Sequence, residues 1–207
     1  LLADYYELDG VAMGMPLENS YLFHGHKGRN FNSSSYWKTN SSILQRAGLD
    51  LLLPAVGASE IINQRIVEES GYDDYAESCL RSKEGGKVCG KCWKCFRKNS
   101  LKGKQVSLQG EIEIFLHKRP LKQAISTLYA IQRLPESQRK LIQQNHPDLE
   151  TLLDQDYSLI ERYCPLFSEI IPEKYLSRII KKLDSVAEPM TEQEYSRLLS
   201  MDLFGSK

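Results

Sequence analysis

Four cysteines in the middle of the chain are the residues best suited to bind a metal: Cys79, Cys89, Cys92 and Cys95. The last three form two overlapping C-x-x-C pairs, which bring three thiols into one tight turn. Cys79 can return from the far side of a Gly85–Gly86 loop and complete a tetrahedron of thiolates around zinc. Four sulfur ligands leave no coordination position for water, so the spacing predicts a structural zinc site rather than a catalytic one.

Two other interpretations of these cysteines stay open at this point. A C-x-x-C-x-x-C run followed by Cys164-Pro165 is also typical of ferredoxin-type iron–sulfur proteins, and reduced or regulatory thiols need no metal. We prefer zinc because the remote Cys-Pro of ferredoxins serves a second cluster, and this chain has no second cysteine set. Five cysteines, odd in number and closely spaced, argue against a disulfide framework.

Basic residues surround the cysteines: Lys87, Lys91, Lys94, Arg97 and Lys98. A zinc ion with four thiolates carries net negative charge, and these cations can offset it. The formal net charge of the chain is zero, which argues against a dominant nucleic-acid surface. Arg97 is equally suited to contact a ligand, and Trp93 could stack on a ligand or pack against the domain.

A second group of candidate residues lies in the loop around positions 24–30. Lys27, Arg29 and the histidines His24 and His26 supply donors for a phosphate or carboxylate, and the loop's glycines allow close backbone approach. The alternative is an exposed, solvated loop. A metal site at the two histidines has weak support because the sequence shows no third ligand nearby.

Alternating strands and helices are predicted to position these residues. Strands are expected at 11–15 and 51–56, and helices at 35–47 and 59–70, with Gly48 and Gly71 ending the helices. This order indicates a parallel sheet with covering helices. Two strands alone cannot bury both faces of such a sheet, so we expect residues 1–104 to be the later part of a larger domain whose amino-terminal part precedes Leu1.

Residues 105–207 are predicted to form a separate helical region. Apolar residues recur at helical spacing over 121–131 and 175–183, and Thr191 with Glu194 predicts a capping box. This region could dock a partner or a second subunit, or cover the sheet. The chain has no extended apolar run or signal-like segment, so we expect a cytoplasmic protein with no membrane contact.

The order of these features resembles the carboxyl-terminal half of the 7-cyano-7-deazaguanine synthase family, which belongs to the PP-loop ATP pyrophosphatase superfamily. The likeness covers about residues 5–100. It rests on a strand ending at Gly14, on Glu18-Asn19-Ser20, on the helix that opens Ser59-Glu60-Ile61, and above all on Cys89-Gly90-Lys91-Cys92 with its two outer cysteines.

The resemblance implies a fold and an activity. The fold would be the later half of an α/β parallel-sheet PP-loop (HUP-like) domain with a four-cysteine zinc knuckle, followed by the all-helical region. The activity would be that of a ligase or nitrile synthase that uses ATP and Mg²⁺ to adenylate a deazapurine-like carboxylate and admits ammonia, releasing AMP and pyrophosphate, as in queuosine-like biosynthesis. Gly14, Glu18, Asn19, Lys27 and Arg29 would then bind the nucleotide. His24, His26, Glu60 and Arg97 would bind the substrate.

Three departures from the family pattern leave open whether the activity is changed or lost. The chain lacks the Ser-Gly-Gly-x-Asp-Ser phosphate loop, Asn19 replaces an acidic residue, and Ala58 stands where the family has lysine. A missing amino-terminal half or a partner subunit would therefore have to supply the phosphate loop. The alternative is a non-catalytic zinc-knuckle binding module, and a homo-oligomer is possible for either.

Overall fold

A computed structural model describes residues 2–72, 75–76, 79 and 88–205. The Gly85–Gly86 loop and Lys87 lie outside these residues. The described chain is a mixed α/β protein in which helices predominate. Its strands are β1 Gly10–Ala12, β2 Leu22–Phe23, β3 Lys27–Gly28 and β4 Asp50–Leu52. Its α-helices are α1 Leu2–Tyr5, α2 Ser35–Arg46, α3 Glu60–Glu69, α4 Trp93–Leu101, α5 Glu111–His117, α6 Ala124–Gln132, α7 Glu136–Asn145, α8 Glu150–Leu153, α9 Glu173–Asp184 and α10 Glu192–Ser200.

The predicted parallel strand pair is present but short. β1 and β4 pair in parallel with Val11 opposite Leu51, and the Met13 N–H extends the ladder by donating to the Leu52 carbonyl at 2.9 Å. β4 ends at Leu52, not at Val56 as predicted, because Pro54 has no N–H for a ladder and the chain turns there. A small parallel sheet is therefore shown, whereas the larger PP-loop architecture stays a prediction.

The two helices predicted in this part of the chain begin at the expected capping residues. The Ser34 hydroxyl accepts the Trp37 N–H at the start of α2, and the Ser59 hydroxyl accepts the Ile62 N–H at the start of α3. A left-handed glycine, Gly48 with φ of 73°, follows α2 and ends it. Local capping chemistry therefore determines where these helices begin and where α2 ends.

The helical region packs tightly around α6. This helix is buried along nearly all its length and contacts both α4 and α8. α6 begins at Ala124, later than the apolar spacing predicts, because Gln123 adopts a left-handed conformation with φ of 53°. The capping box of Thr191 and Glu194 at the start of α10 is confirmed.

One continuous hydrophobic core joins the two predicted regions. It contains Leu17, Phe31 and Phe96 from the first region together with Ile125 and Phe167 from the second. Hydrogen bonds also cross between the regions: the Ser59 hydroxyl donates to the Ile160 carbonyl at 2.6 Å, and the Cys164 N–H donates to the Gly57 carbonyl at 2.8 Å. The division into 1–104 and 105–207 stays a prediction, but the described residues of both parts share their core.

Candidate metal centre and ligand-binding cleft

The four cysteines predicted to bind a metal meet in space. Their Sγ atoms all lie within 4.8 Å of one another. The Sγ atom of Cys95 is 3.6 Å from that of Cys92 and 3.8 Å from that of Cys89. Zn–S bonds of about 2.3 Å in a tetrahedron place the sulfurs roughly 3.8 Å apart. The cluster is therefore compatible with a structural metal such as zinc.

The backbone around the cluster orients the sulfurs. Gly90 has a φ of 68°, which turns the chain between Cys89 and Cys92. The Cys89 N–H donates to Cys79 Sγ at 3.3 Å, and the Lys91 N–H donates to Cys89 Sγ at 3.4 Å. Without a metal, burial and the neighbouring thiols raise the pKa of Cys95 to about 12. A bound cation would supply the charge that four thiolates need.

Cys164 is not part of this cluster. It is fully buried, and its N–H donates to the Gly57 carbonyl. A short 3-10 helix, Pro165–Glu169, begins directly after it. The described cysteines that could share one metal are the four predicted ones. A mononuclear site also suits the sulfur separations better than a multi-iron cluster, because thiolates bound to different irons must stand further apart.

Helix α4 connects the cysteine cluster to a cleft. Cys92 is the N-cap of this helix, and Trp93, Lys94 and Arg97 project from its first turns into the cleft. The cleft has a volume of about 570 Å³. Five of the predicted site residues line it: Gly14, Glu18, Asn19, Glu60 and Arg97. The structure thus brings together residues that are more than eighty positions apart in the sequence.

Arg97 is the most unusual side chain in the cleft. It is only 2% exposed, and its Nη2 atom lies 2.8 and 2.6 Å from the two carboxylate oxygens of Glu60. Its guanidinium carbon lies 4.2 Å from the centre of the Trp93 ring. The Nε and Nη1 atoms are buried and have no hydrogen-bond partner in the described part of the chain. Buried donors without acceptors are costly, so this arrangement favours a bound group that accepts hydrogen bonds.

Two lysines add positive charge near Trp93. The Nζ atom of Lys122 lies 4.7 Å from the centre of the Trp93 ring, and that of Lys94 lies 5.8 Å away. Both lysines line the cleft. Lys122 belongs to the helical region and was missed by the sequence analysis. The one local signal for it was the basic run of Lys118, Arg119 and Lys122 around Pro120.

Glu18 and Asn19 are held by protein groups. Glu18 is 1% exposed; its two oxygens accept the Glu60 N–H at 2.9 and 3.2 Å, and one of them also accepts the Ser126 hydroxyl. Burial and the negative charge of Glu60 raise the pKa of Glu18, which favours its neutral form. The Asn19 side-chain oxygen accepts a hydrogen bond from Gln123 at 2.8 Å. As arranged, this pair does not fit the Mg²⁺ role that the resemblance implies.

The loop around His24 to Arg29 lies outside the cleft lining. Its backbone joins the helical region: the Gly25 carbonyl accepts the Ile125 N–H at 2.8 Å, and the Gly28 N–H donates to the Met201 carbonyl at 2.7 Å. Arg29 donates to the carbonyls of Ser20 and Asn19 at 2.5 and 2.6 Å. These contacts show Arg29 supporting the backbone of the Glu18 segment.

The other three loop residues face different surroundings. The Nζ atom of Lys27 lies 3.6 Å from the Oδ2 atom of Asp202. His24 is exposed and stacks edge-on against Phe23, whereas the partly buried His26 lies between the rings of Phe23 and Phe204. Burial lowers the pKa of His26 and so favours its neutral form. The structure therefore separates His24, His26, Lys27 and Arg29 from the cleft that holds Glu60 and Arg97.

Fold and site together define a mixed α/β protein with a cysteine cluster that could hold a structural metal beside a charged cleft. The model of a family of unknown function, DUF6395, matches residues 39–202, and the chain belongs to this family. The matched segment contains the cysteines, Glu60 and Arg97, whereas Glu18 precedes it. No curated protein and no solved structure matched the chain. Every helix in the described part of the chain is too short or too polar to cross a membrane.

Proposed function

We propose that this chain supplies the substrate-binding half of an ATP-dependent enzyme that activates a carboxylate. The observation that carries the proposal is Arg97, which lines the cleft and whose buried Nε and Nη1 atoms have no hydrogen-bond partner among the described residues. A guanidinium is planar and matches the two oxygens of a carboxylate. A carboxylate bound there would accept a hydrogen bond from Nε or from Nη1, which point to opposite sides of the guanidinium, and Lys94 and Lys122 would add favourable charge.

The proposed substrate is a deazapurine-like carboxylate. The class comes from the resemblance of the cysteine segment and of the Gly14 to Ser20 segment to the 7-cyano-7-deazaguanine synthase family. The complete reaction would join the carboxylate to AMP with release of pyrophosphate, and ammonia would then displace AMP to give an amide. Residues outside this chain would bind the ATP phosphates. This chain would hold and orient the carboxylate and exclude water from it.

Zinc in the cysteine cluster would contribute structure to this function. A closed site of four cysteines does not activate water, but it fixes Cys92, the residue from which α4 begins. The first turns of α4 carry Trp93, Lys94 and Arg97. Metal binding would therefore set the position of one wall of the cleft.

The alternative function is a non-catalytic binding module built on the same scaffold. The observations that favour it are the buried position of Glu18 and the environment of Ala58. Ala58 is 1% exposed and its side chain is uncharged, so this residue cannot supply the cation that the family's lysine would provide there. Such a module would bind the carboxylate through Arg97 without nucleotide chemistry.

Calorimetry with two related ligands tests the carboxylate proposal. We expect the protein to bind 7-carboxy-7-deazaguanine at least tenfold more tightly than 7-deazaguanine, because a charge-assisted contact to Arg97 contributes about 1.5–3 kcal/mol. Lys94→Ala should weaken binding of the carboxylate selectively. Lys104→Ala, which removes an exposed lysine away from the cleft lining, is the matched control. Equal affinity for both ligands would contradict the proposal.

Release of AMP and pyrophosphate separates the enzyme from the binding module. The assay contains ATP, ammonia, 7-carboxy-7-deazaguanine and the protein together with a polypeptide that carries the phosphate loop. Product release that depends on the carboxylate supports the enzyme. Carboxylate binding without release under these conditions supports the module.

A further inference from the structure

We infer that Gln123 recognises an N–H donor of the molecule bound in the cleft, so that the helical region sets ligand specificity. The inference rests on the proposed carboxylate-binding function and extends it to a second edge of the ligand. Gln123 lies in the segment that joins Lys122 to α6 and lines the same cleft as Arg97. No sequence pattern pointed to it.

The backbone of Gln123 is held in an unfavourable conformation. Its φ and ψ are 53° and 51°, a left-handed geometry that residues other than glycine and asparagine adopt rarely. The loop at Gly25 packs closely against this segment from outside the cleft. A Cβ atom at Gly25 would lie 2.8 Å from the Ala124 nitrogen, and the Gly25 carbonyl accepts the Ile125 N–H at 2.8 Å. Strain of this kind is concentrated at functional positions.

The side-chain amide of Gln123 is only half satisfied by the protein. Its Nε2 atom donates to the Asn19 side-chain oxygen at 2.8 Å, which fixes the orientation of the amide. Its Oε1 atom is buried and finds no hydrogen-bond partner within residues 2–72, 75–76, 79 and 88–205. A buried carbonyl oxygen without a donor is costly, and an N–H group of a ligand in the cleft would satisfy it.

Arg97 and Gln123 together describe the chemistry of the ligand. Arg97 offers unpartnered donors and Gln123 offers an unpartnered acceptor, and both residues line one cleft. A matching molecule has an anionic group and a separate N–H donor on a compact frame. A heterocyclic carboxylate with ring or exocyclic N–H groups meets this requirement, whereas a carboxylate without N–H donors meets only half of it.

Two variants and two ligands test the inference by calorimetry. The ligands are 7-carboxy-7-deazaguanine, which has N–H donors, and 1-methylindole-3-carboxylate, a flat bicyclic carboxylate without them. Gln123→Met removes the acceptor while keeping the length of the side chain. Gln123→Asn suits the left-handed backbone but withdraws the acceptor by one methylene group. Gln105→Met, at an exposed position away from the cleft lining, is the control.

We expect both Gln123 variants to bind 7-carboxy-7-deazaguanine about tenfold more weakly and to bind 1-methylindole-3-carboxylate within about twofold of the parent protein. If the Gln123 variants bind both ligands as tightly as the parent protein does, the inference is overturned and the carboxylate proposal stays intact. An equal loss for both ligands would also overturn it, because that result indicates a purely structural role. Absence of carboxylate binding by the parent protein would overturn both proposals.

Discussion

Glu60 is the residue that neutralises Arg97 in the cleft. Its carboxylate is about a quarter exposed, whereas the guanidinium it contacts is almost completely buried. Removing one partner of such a pair leaves a buried charge without compensation, which costs more than the pair itself contributes. The pair therefore makes the stability of the cleft depend on a single carboxylate.

We predict that Glu60→Gln lowers the free energy of unfolding by about 2–3 kcal/mol, because Arg97 loses its counter-charge. Urea unfolding followed by circular dichroism measures the change. Glu69→Gln, at the exposed end of the same helix, should change stability by less than about 0.5 kcal/mol. Equal effects of the two substitutions would show that the Arg97 pair has no special role.

Glu18 predicts a dependence of stability on pH. Burial and the charge of Glu60 raise the pKa of this carboxyl in the folded chain above its ordinary value of 4.5. Unfolding therefore releases a proton, so the stability contributed by Glu18 is fully present below about pH 4.5 and is lost as the pH rises through the folded pKa.

We expect Glu18→Gln, which stays neutral, to gain stability relative to the parent protein as the pH is raised from about 4 to about 8. Urea midpoints measured at intervals over this range test the expectation. A constant difference between the two proteins at every pH would contradict the raised pKa.

At the scale of elements, the cysteine cluster and α4 act as one unit. Cys92 belongs to the cluster and is also the N-cap residue of α4. α4 packs against α6 in the helical region. A metal in the cluster would therefore stabilise the cleft wall and, through α4 and α6, the contact between the two regions.

We predict that Cys92→Ser loses the metal and lowers the melting temperature, because a structural metal site contributes folding free energy. Elemental analysis of protein purified without oxygen should find one zinc per chain in the parent protein. Cys164→Ala, a buried cysteine outside the cluster, should retain it. Iron with inorganic sulfide would overturn zinc, and a Cys92→Ser protein with unchanged melting temperature but lost turnover would overturn the structural role.

At the scale of the whole molecule, the two predicted regions depend on each other. The Ser126 hydroxyl supports Glu18, the Ile160 carbonyl accepts from Ser59, and the Met201 carbonyl accepts from Gly28. Apolar residues from both regions form one core. Separating the regions would expose this core and leave those buried polar groups without partners.

We therefore predict that neither residues 1–104 nor residues 105–207 fold cooperatively when expressed alone. Circular dichroism and urea unfolding of each fragment measure this, and mixing the fragments should restore cooperative unfolding. A sharp unfolding transition for either fragment alone would establish it as an independent domain.

The elements that the sequence predicted well are those with local causes. Ser34 and Ser59 cap their helices through their own hydroxyl groups, and Thr191 forms its capping box within four residues. The predicted strand at 51–56 was too long because the apolar run continues past Pro54, which cannot donate a ladder hydrogen bond, and the observed strand ends at Leu52. The late start of α6 could not be predicted, because it follows from the left-handed conformation of Gln123, in a segment that packs against the Gly25 loop, which is distant in sequence.

The sequence by itself determined the cysteine cluster, because two overlapping C-x-x-C pairs bring thiols together through the geometry of a single turn. It did not determine which charged residues share a ligand site. Only the tertiary structure placed Arg97 and Gln123 in one cleft and directed Arg29 to backbone carbonyls. The physical reason is that a charged or amide side chain takes whichever partner packing brings within reach, and its own sequence neighbours do not fix that partner.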